Sequence, residues 1–306
     1  MRPNIHSGSA PLIKGQIIAS FGRQFLVKTG AGATFSCVAR GKKGGAACGD
    51  RVEIRTTESG DQGVIETILP RTALLHRSDA YREKLIAANI TQVVIVVAAV
   101  PTFSEELINR CLAAAENQGL QVLIVLNKAD LVSATQVAAG RLNLYRGLGY
   151  AVLEVSAASN ATPLLPFLSN QLSVLVGQSG MGKSTIINAL FPGAKRATAG
   201  ISVALDTGRH TTTHARLYEL DEQSGIIDSP GLQDFGLYHM NNEELAWGFV
   251  EFRPYLGQCK FADCRHMREP GCALRDATAK GRVDKRRLDF FQTLVTRSRS
   301  GASSPA

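Results

Sequence analysis

No stretch of this chain is long and apolar enough to cross a bilayer. The longest apolar run, Val93 to Val100, falls well short of the roughly 20 residues that a spanning helix needs. The first ten residues, Met1 to Ala10, lack the apolar core of a secretory signal. A soluble, cytoplasmic protein is therefore expected. No internal repeat is visible, which removes the solenoid and propeller architectures. The six cysteines do not form a spread disulfide framework. Cys37, Cys48 and Cys111 are scattered, while Cys259, Cys264 and Cys272 crowd into one segment with His266 among them. Without a secretory signal, such a cluster suits a metal better than oxidation.

Hydrophobic residues make up 44% and charged residues 20% of the 306 residues, so wholesale disorder is excluded and two or three cores are affordable. The net charge of +8, with a pI near 9.3, favours an anionic partner, nucleic acid being the commonest. A mildly basic enzyme without such a partner is the plainer alternative.

Between Gly15 and Arg71 short strands alternate with turns. Gly15 to Ala19 and Phe25 to Thr29 flank Gly22 as a hairpin; Thr34 to Arg40 follows, then the Gly-rich turn from Gly41 to Gly49 and a strand from Asp50 to Arg55. Gly60 and Gly63 punctuate a last hairpin into Val64 to Leu69. Five such strands predict an OB-fold barrel. After Pro70 the pattern becomes alternating: strands at Ile90 to Val100, Gln121 to Leu126, Ala151 to Val155 and Leu172 to Val176; helices at Ser104 to Gly119, Leu142 to Leu148 and Lys183 to Phe191. This alternation implies a parallel α/β sheet with helices on both faces. From Phe235 the strands stop. Asn241 to Phe249 reads as a helix, and Ala277 to Leu294 as a basic helix carrying Lys280, Arg282, Lys285, Arg286 and Arg287. The expected division is a barrel over 1–72, an α/β P-loop domain over 73–235, a mainly helical zinc-binding domain over 236–297 and a disordered tail over 298–306.

Gly177-Gln178-Ser179-Gly180-Met181-Gly182-Lys183-Ser184, followed by Thr185, matches the P-loop between an apolar strand and a helix. Its glycines let backbone N–H groups turn inward around phosphates, Lys183 supplies a positive charge and the Ser184 hydroxyl is placed for Mg²⁺. Asn127-Lys128-Ala129-Asp130 ends another apolar strand. A carboxylate such as Asp130 accepts from both N1–H and the N2 amino group of guanine, whereas adenine would face it with a lone pair. Asn127 is expected to tie the loop and the Lys128 stem to cover the base. Ser156-Ala157 could bring a backbone N–H to guanine O6. Asp228-Ser229-Pro230-Gly231 matches the second metal-site motif, with Asp228 toward Mg²⁺ and the Gly231 N–H toward the γ-phosphate. Gly208 to Thr213 reads as a switch loop in which one of Thr211, Thr212 and Thr213 completes the metal shell, Thr212 being the candidate taken. Leu232 occupies the position of the usual water-orienting glutamine, so His210 is the nearest substitute.

The guanine motif precedes the P-loop, the reverse of the ordinary order, so the domain must be circularly permuted. Its switch then leads straight into the cysteine-rich segment, and a γ-phosphate-dependent movement would pull on that segment. This combination resembles the ribosome small-subunit-dependent GTPase A family (RsgA, also YjeQ) over nearly the whole length. The resemblance implies late maturation of the small ribosomal subunit, rRNA contact, ribosome-stimulated GTP hydrolysis and a hydrolytic role for His210.

Cys259, Cys264, His266 and Cys272 form C-x4-C-x-H-x5-C, a ligand set for one closed, structural Zn²⁺ site. Lys260, Arg265 and Arg268 beside it, the basic helix, and Lys42 and Lys43 in the barrel are candidate phosphate contacts. The competing readings are a GTP-regulated RNA-modification factor and a zinc-stabilised RNA-binding module with an idle nucleotide site. Nothing suggests an obligate dimer.

Overall fold

The computed structural model describes residues 11–40, 45–57, 61–78, 83–193, 215–229, 237 and 240–302. Five strands form the N-terminal barrel: β1 (Ile13–Phe21), β2 (Gln24–Thr29), β3 (Thr34–Ala39), β4 (Arg51–Thr56) and β5 (Gln62–Ile68). They close in the order β1-β2-β3-β5-β4-β1, antiparallel except for β3 with β5. This is the OB arrangement. The alternating pattern of β2 sends Phe25 and Val27 inward, where they meet Ile17, Cys37, Val52, Ile54 and Ile65 in a core of the barrel's own.

A hairpin that the sequence reading missed follows, β6 (Leu74–Ser78) with β7 (Glu83–Ala88). The α/β sheet then comprises β8 (Gln92–Ala98), β9 (Gln121–Asn127), β10 (Ala151–Val155), β11 (Leu172–Val176), β12 (Ala215–Glu219) and β13 (Gly225–Asp228). Its order is β10-β9-β8-β11-β13-β12, parallel apart from β12, which pairs antiparallel with β13. Every residue of β8 is buried, as a central parallel strand requires. The helices are α1 (Glu105–Asn117), α2 (Val132–Gly147), the single turn α3 (Leu165–Leu168) and α4 (Lys183–Leu190). Helix α2 starts ten residues before the expected Leu142, because its apolar positions are too sparse to mark the first turns.

The barrel and the α/β sheet are continuous. Strand β1 pairs with β12 at Ala19–Arg216 and Ser20–Ala215. The fully buried Asp50 receives both Nε and Nη2 of Arg71 at 2.7 Å and the Ala47 N–H at 2.7 Å. A buried carboxylate with three donors is a fixed joint rather than a hinge.

The C-terminal part is helical: α5 (Asn242–Trp247), a 3-10 segment Val250–Tyr255, α6 (Ala273–Ala279) and α7 (Lys285–Ala302). Helix α5 opens on a capping box between Asn241 and Glu244. The expected single helix from Ala277 to Leu294 is corrected to two, broken at Gly281 with φ 69°. Helix α7 also runs to Ala302, into the segment expected as a tail.

A second correction concerns the cations of that region. Arg287 is 1% exposed and does not face solvent phosphates. Its Nε and Nη2 reach Glu251 at 2.6 and 3.1 Å, Nη1 reaches Asn109 Oδ1 of α1 at 2.7 Å, and its guanidinium carbon sits 4.4 Å from the Phe249 ring centroid. Asn109 Oδ1 also accepts from Tyr145 of α2 at 3.0 Å. Arg286 pairs with Asp284 and Glu105, and Lys285 with Asp289. The helical part therefore shares one core with the parallel sheet.

Arg287→Ala leaves Glu251 buried without its partner and should lower unfolding free energy by about 3–5 kcal/mol. The double change Arg287→Met with Glu251→Leu should recover most of that loss. Urea melts of the three proteins check it, and equal midpoints for wild type and Arg287→Ala would remove this joint from the account.

Candidate nucleotide site and metal centre

The parallel strands end together. Their register sets Ala98 beside Asn127, Asn127 beside Val155, Ile95 beside Val176, and Leu175 beside Asp228. In this strand order the chain reverses direction between β8 and β11, and a crevice opens at the carboxyl ends of a doubly wound sheet at such a point. Motifs separated by about a hundred residues in sequence therefore meet at one edge.

Asn127 is the meeting point. It is 2% exposed. Its Nδ2 donates to the Met181 carbonyl of the P-loop at 3.0 Å, and its Oδ1 accepts the Ala157 N–H at 3.0 Å. Two glycines make this approach possible. A Cβ on Gly182, which has φ 96°, would lie 2.2 Å from Asn127 Nδ2, and one on Gly177 would lie 2.3 Å from the Val96 carbonyl oxygen. Lys128 takes φ 63° and its ammonium donates to the Val100 carbonyl at 2.8 Å, which lays its stem across the loop. Asp130 is exposed, and Ser156 Oγ donates to its Oδ1 at 2.5 Å. The Ala157 N–H is thus committed to Asn127. The next amide, that of Ala158, donates to no acceptor among the described residues, a point hidden from the sequence because it depends on which amide the asparagine takes.

In the P-loop, Lys183 donates to the carbonyls of Gly177 and Gln178 at 2.5 and 3.0 Å. The Gln178 side chain turns to α1 and accepts the Ser104 N–H at 2.8 Å. Ser184 and Thr185 are exposed at the start of α4, and Met181 is buried beneath the loop. Burial lowers the Lys183 pKa and raises that of Asp228, and each charge partly offsets the shift of the other. A half-buried ammonium and a half-buried carboxylate at one crevice fit a ligand bringing phosphates and a divalent cation. His210, Thr211, Thr212, Thr213, Gly231 and Leu232, with Lys42 and Lys43, lie outside the described residues.

At the other end of the chain, Cys259, Cys264, His266 and Cys272 converge. Their ligand atoms all lie within 4.8 Å of one another. The three sulfurs stand 3.4, 3.7 and 3.4 Å from His266 Nδ1. Tetrahedral Zn–S and Zn–N bonds of about 2.3 and 2.0 Å demand an edge of about 3.6 Å, so the donors fit Zn²⁺, with Nδ1 the nitrogen that faces the three sulfurs. The loop is folded for it. His266 has φ 60°, its carbonyl accepts from Gln292 of α7 at 2.7 Å, and the Ala273 N–H points at the Cys259 sulfur at 3.4 Å. The Glu269 carboxylate accepts the N–H groups of Arg265, Met267 and Arg268 at 3.2, 2.8 and 3.0 Å.

With this geometry in view, the relatives are decisive. The RsgA GTPase family model matches residues 68–238. A small ribosomal subunit biogenesis GTPase RsgA of Nitrosospira multiformis is 63% identical over 293 residues, covering 96% of this chain and 93% of that protein. The chain belongs to the RsgA GTPase family. A second RsgA, from Nitrosomonas europaea, is 56% identical over 92% of the chain and 91% of its own length. Among solved structures, YjeQ from Thermotoga maritima matches with TM-score 0.71 and 28% identity over 96% of this chain and all of its own. YloQ, described as a circularly permuted GTPase, matches with TM-score 0.70 and 25% identity over 99% of this chain. As an RsgA GTPase the chain is an enzyme acting on a guanine nucleotide, and the permuted order is a property of the fold. No helix among the described residues is long and apolar enough to cross a membrane.

Metal analysis of purified protein should return about one zinc per chain, and a strong chelator should unfold the C-terminal segment. A folded, metal-free protein with unchanged circular dichroism would contradict the assignment.

Proposed function

We propose that this RsgA GTPase binds the small ribosomal subunit late in its maturation and hydrolyses GTP there, the subunit accelerating turnover. The observation that carries the reading is the Asn127 contact pair, which brings the base-reading loop, the Ser156-Ala157 loop and the P-loop to one crevice. The relatives' names supply the small ribosomal subunit as partner. The chain divides into a barrel over 1–72, the permuted domain over 73–235 and the zinc-binding part from 236 onward, acting as a cytoplasmic monomer.

In this reading Asp130 accepts the two guanine donors, with Ser156 orienting its carboxylate, and the Ala158 N–H donates to O6. The Lys128 stem covers the base. On nucleotide entry Lys183 gives up the carbonyls of Gly177 and Gln178 for phosphate oxygens, while the amides of Ser179 to Thr185 wrap the phosphates. Ser184, Asp228 and Thr212 would hold Mg²⁺, which neutralises charge on the β- and γ-phosphates. The Gly231 N–H meets the γ-phosphate, and His210 orients or deprotonates the attacking water in place of the glutamine that Leu232 displaces. Lys260, Arg265 and Arg268 face the rRNA; Arg287 no longer belongs to that set.

Asp130→Ala should weaken GDP binding by on the order of 10²-fold or more while leaving ADP undetectable, because the guanine donors lose their acceptor; calorimetry measures both. His210→Ala should bind GTP normally and slow single-turnover hydrolysis by roughly 10²-fold. An unchanged rate removes the histidine from the mechanism. GTP turnover with and without small subunits tests the whole reading: strong stimulation supports it, and equal rates contradict it.

A further inference from the structure

Between α5, the last turn of α1 and the zinc loop lies a cavity of about 520 Å³. Its walls include Trp247 and Phe261, which leave 50% and 43% of their surfaces exposed. Among the described residues only Phe167 is a comparably exposed phenyl or indole ring. Two of three such rings in one concavity is a pattern that marks binding surfaces.

The indole is held in place. Arg253 Nε donates to the Trp247 carbonyl at 3.0 Å, its guanidinium carbon stands 4.9 Å from the ring centroid, and Nη2 pairs with Glu116 of α1 at 2.7 Å. A ring fixed before binding loses little conformational freedom when something stacks on it. Lys260 Nζ lies 5.5 Å from the Phe261 ring centroid, and Arg265 lines the cavity. Lys260, Arg265 and Arg268 are exposed, and no acidic side chain among the described residues pairs with them. Asn242 and Glu243 contribute polar atoms to the wall, while the Glu244 carboxylate is occupied by the Asn241 N–H at 2.8 Å.

We propose that this cavity receives one unstacked base of single-stranded or loop RNA, stacking on Trp247 or Phe261, with the flanking phosphates on Lys260, Arg265 and Arg268. An aromatic face, polar atoms for a base edge and unpaired cations for a backbone are the three things such a nucleotide needs together. An apolar peptide anchor would use the rings and leave three cations idle, so charge complementarity selects the nucleotide. The inference rests on the RNA-contacting reading of the zinc-binding part and adds a specific seat to it.

Trp247 is the only tryptophan in the chain, so its emission reports on this cavity alone. The zinc-loaded full chain is titrated with an eight-nucleotide single-stranded RNA, with a fully paired RNA duplex, and with heparin as a polyanion without bases. The single strand should quench the emission at concentrations where duplex and heparin do not. Phe261→Ala should weaken that binding by roughly 5- to 150-fold, and Phe261→Tyr should restore it, each with one zinc retained and basal GTP hydrolysis unchanged. Equal quenching by heparin and RNA, or by the duplex and the single strand, would overturn the proposal. Small-subunit stimulation of GTP turnover is read in parallel. Stimulation without RNA quenching removes the base seat alone, and quenching without stimulation removes the ribosomal reading alone.

Discussion

The buried side chain of Asn127 is the constraint on which the nucleotide site depends. The Asn127–Asp130 loop, the Ser156-Ala157 loop and the P-loop lie on three separate returns of the chain, each following a different strand. Strand pairing fixes those returns only to within the play of a loop. One amide then takes up that play, donating to Met181 and accepting from Ala157. Its reach requires the bare Cα of Gly182, so the P-loop glycine serves packing as well as phosphate approach. A buried amide with both ends satisfied has a single geometry, and leaving either end open would incur a desolvation penalty.

The two ends of the chain share an electrostatic logic. At the crevice, Lys183 and Asp228 are both partly withdrawn from water, and burial disfavours the charged form of each. In the C-terminal loop, burial is the main cause that raises the pKa values of Cys264 and Cys272. At each site burial disfavours the charged form that a bound ion would favour. Helix α1 runs between them. Gln178 of the P-loop meets its first turn through Ser104, while Asn109 and Glu116 further along meet Arg287 and Arg253 of the helical part. The nucleotide loop and the zinc-bearing part are therefore joined through packed contacts as well as through the chain that follows Asp228.

Much of this was legible in the sequence. The barrel strands followed from alternation and turn glycines, and β10 and β11 were bounded correctly because apolar runs ended in sharp turn signals. The Cys/His cluster was readable because thiols and imidazole have few other reasons to crowd into one short segment. The missed hairpin β6–β7 and strand β12, held between β13 and β1, have mixed, short patterns whose pairing comes from tertiary neighbours. Arg287 misled for a related reason. In a run of five basic residues nothing local distinguishes a solvated cation from one buried against Glu251 and Asn109, which lie 36 and 178 residues away. The break at Gly281 was passed over because helical spacing continues on both sides of it. Which amide of the 156–158 turn is taken up within the protein is likewise decided by a contact thirty residues distant, between Ala157 and Asn127.

The most direct test of the account is calorimetric GDP affinity for Asn127→Ala beside wild type, with circular dichroism and zinc content as controls on folding. Two buried hydrogen bonds are lost and three loops are released. The account predicts a fall in affinity on the order of 10²-fold or more with the fold retained. An affinity within about twofold of wild type, measured on a folded, zinc-loaded protein, would contradict the claim that this one side chain assembles the site.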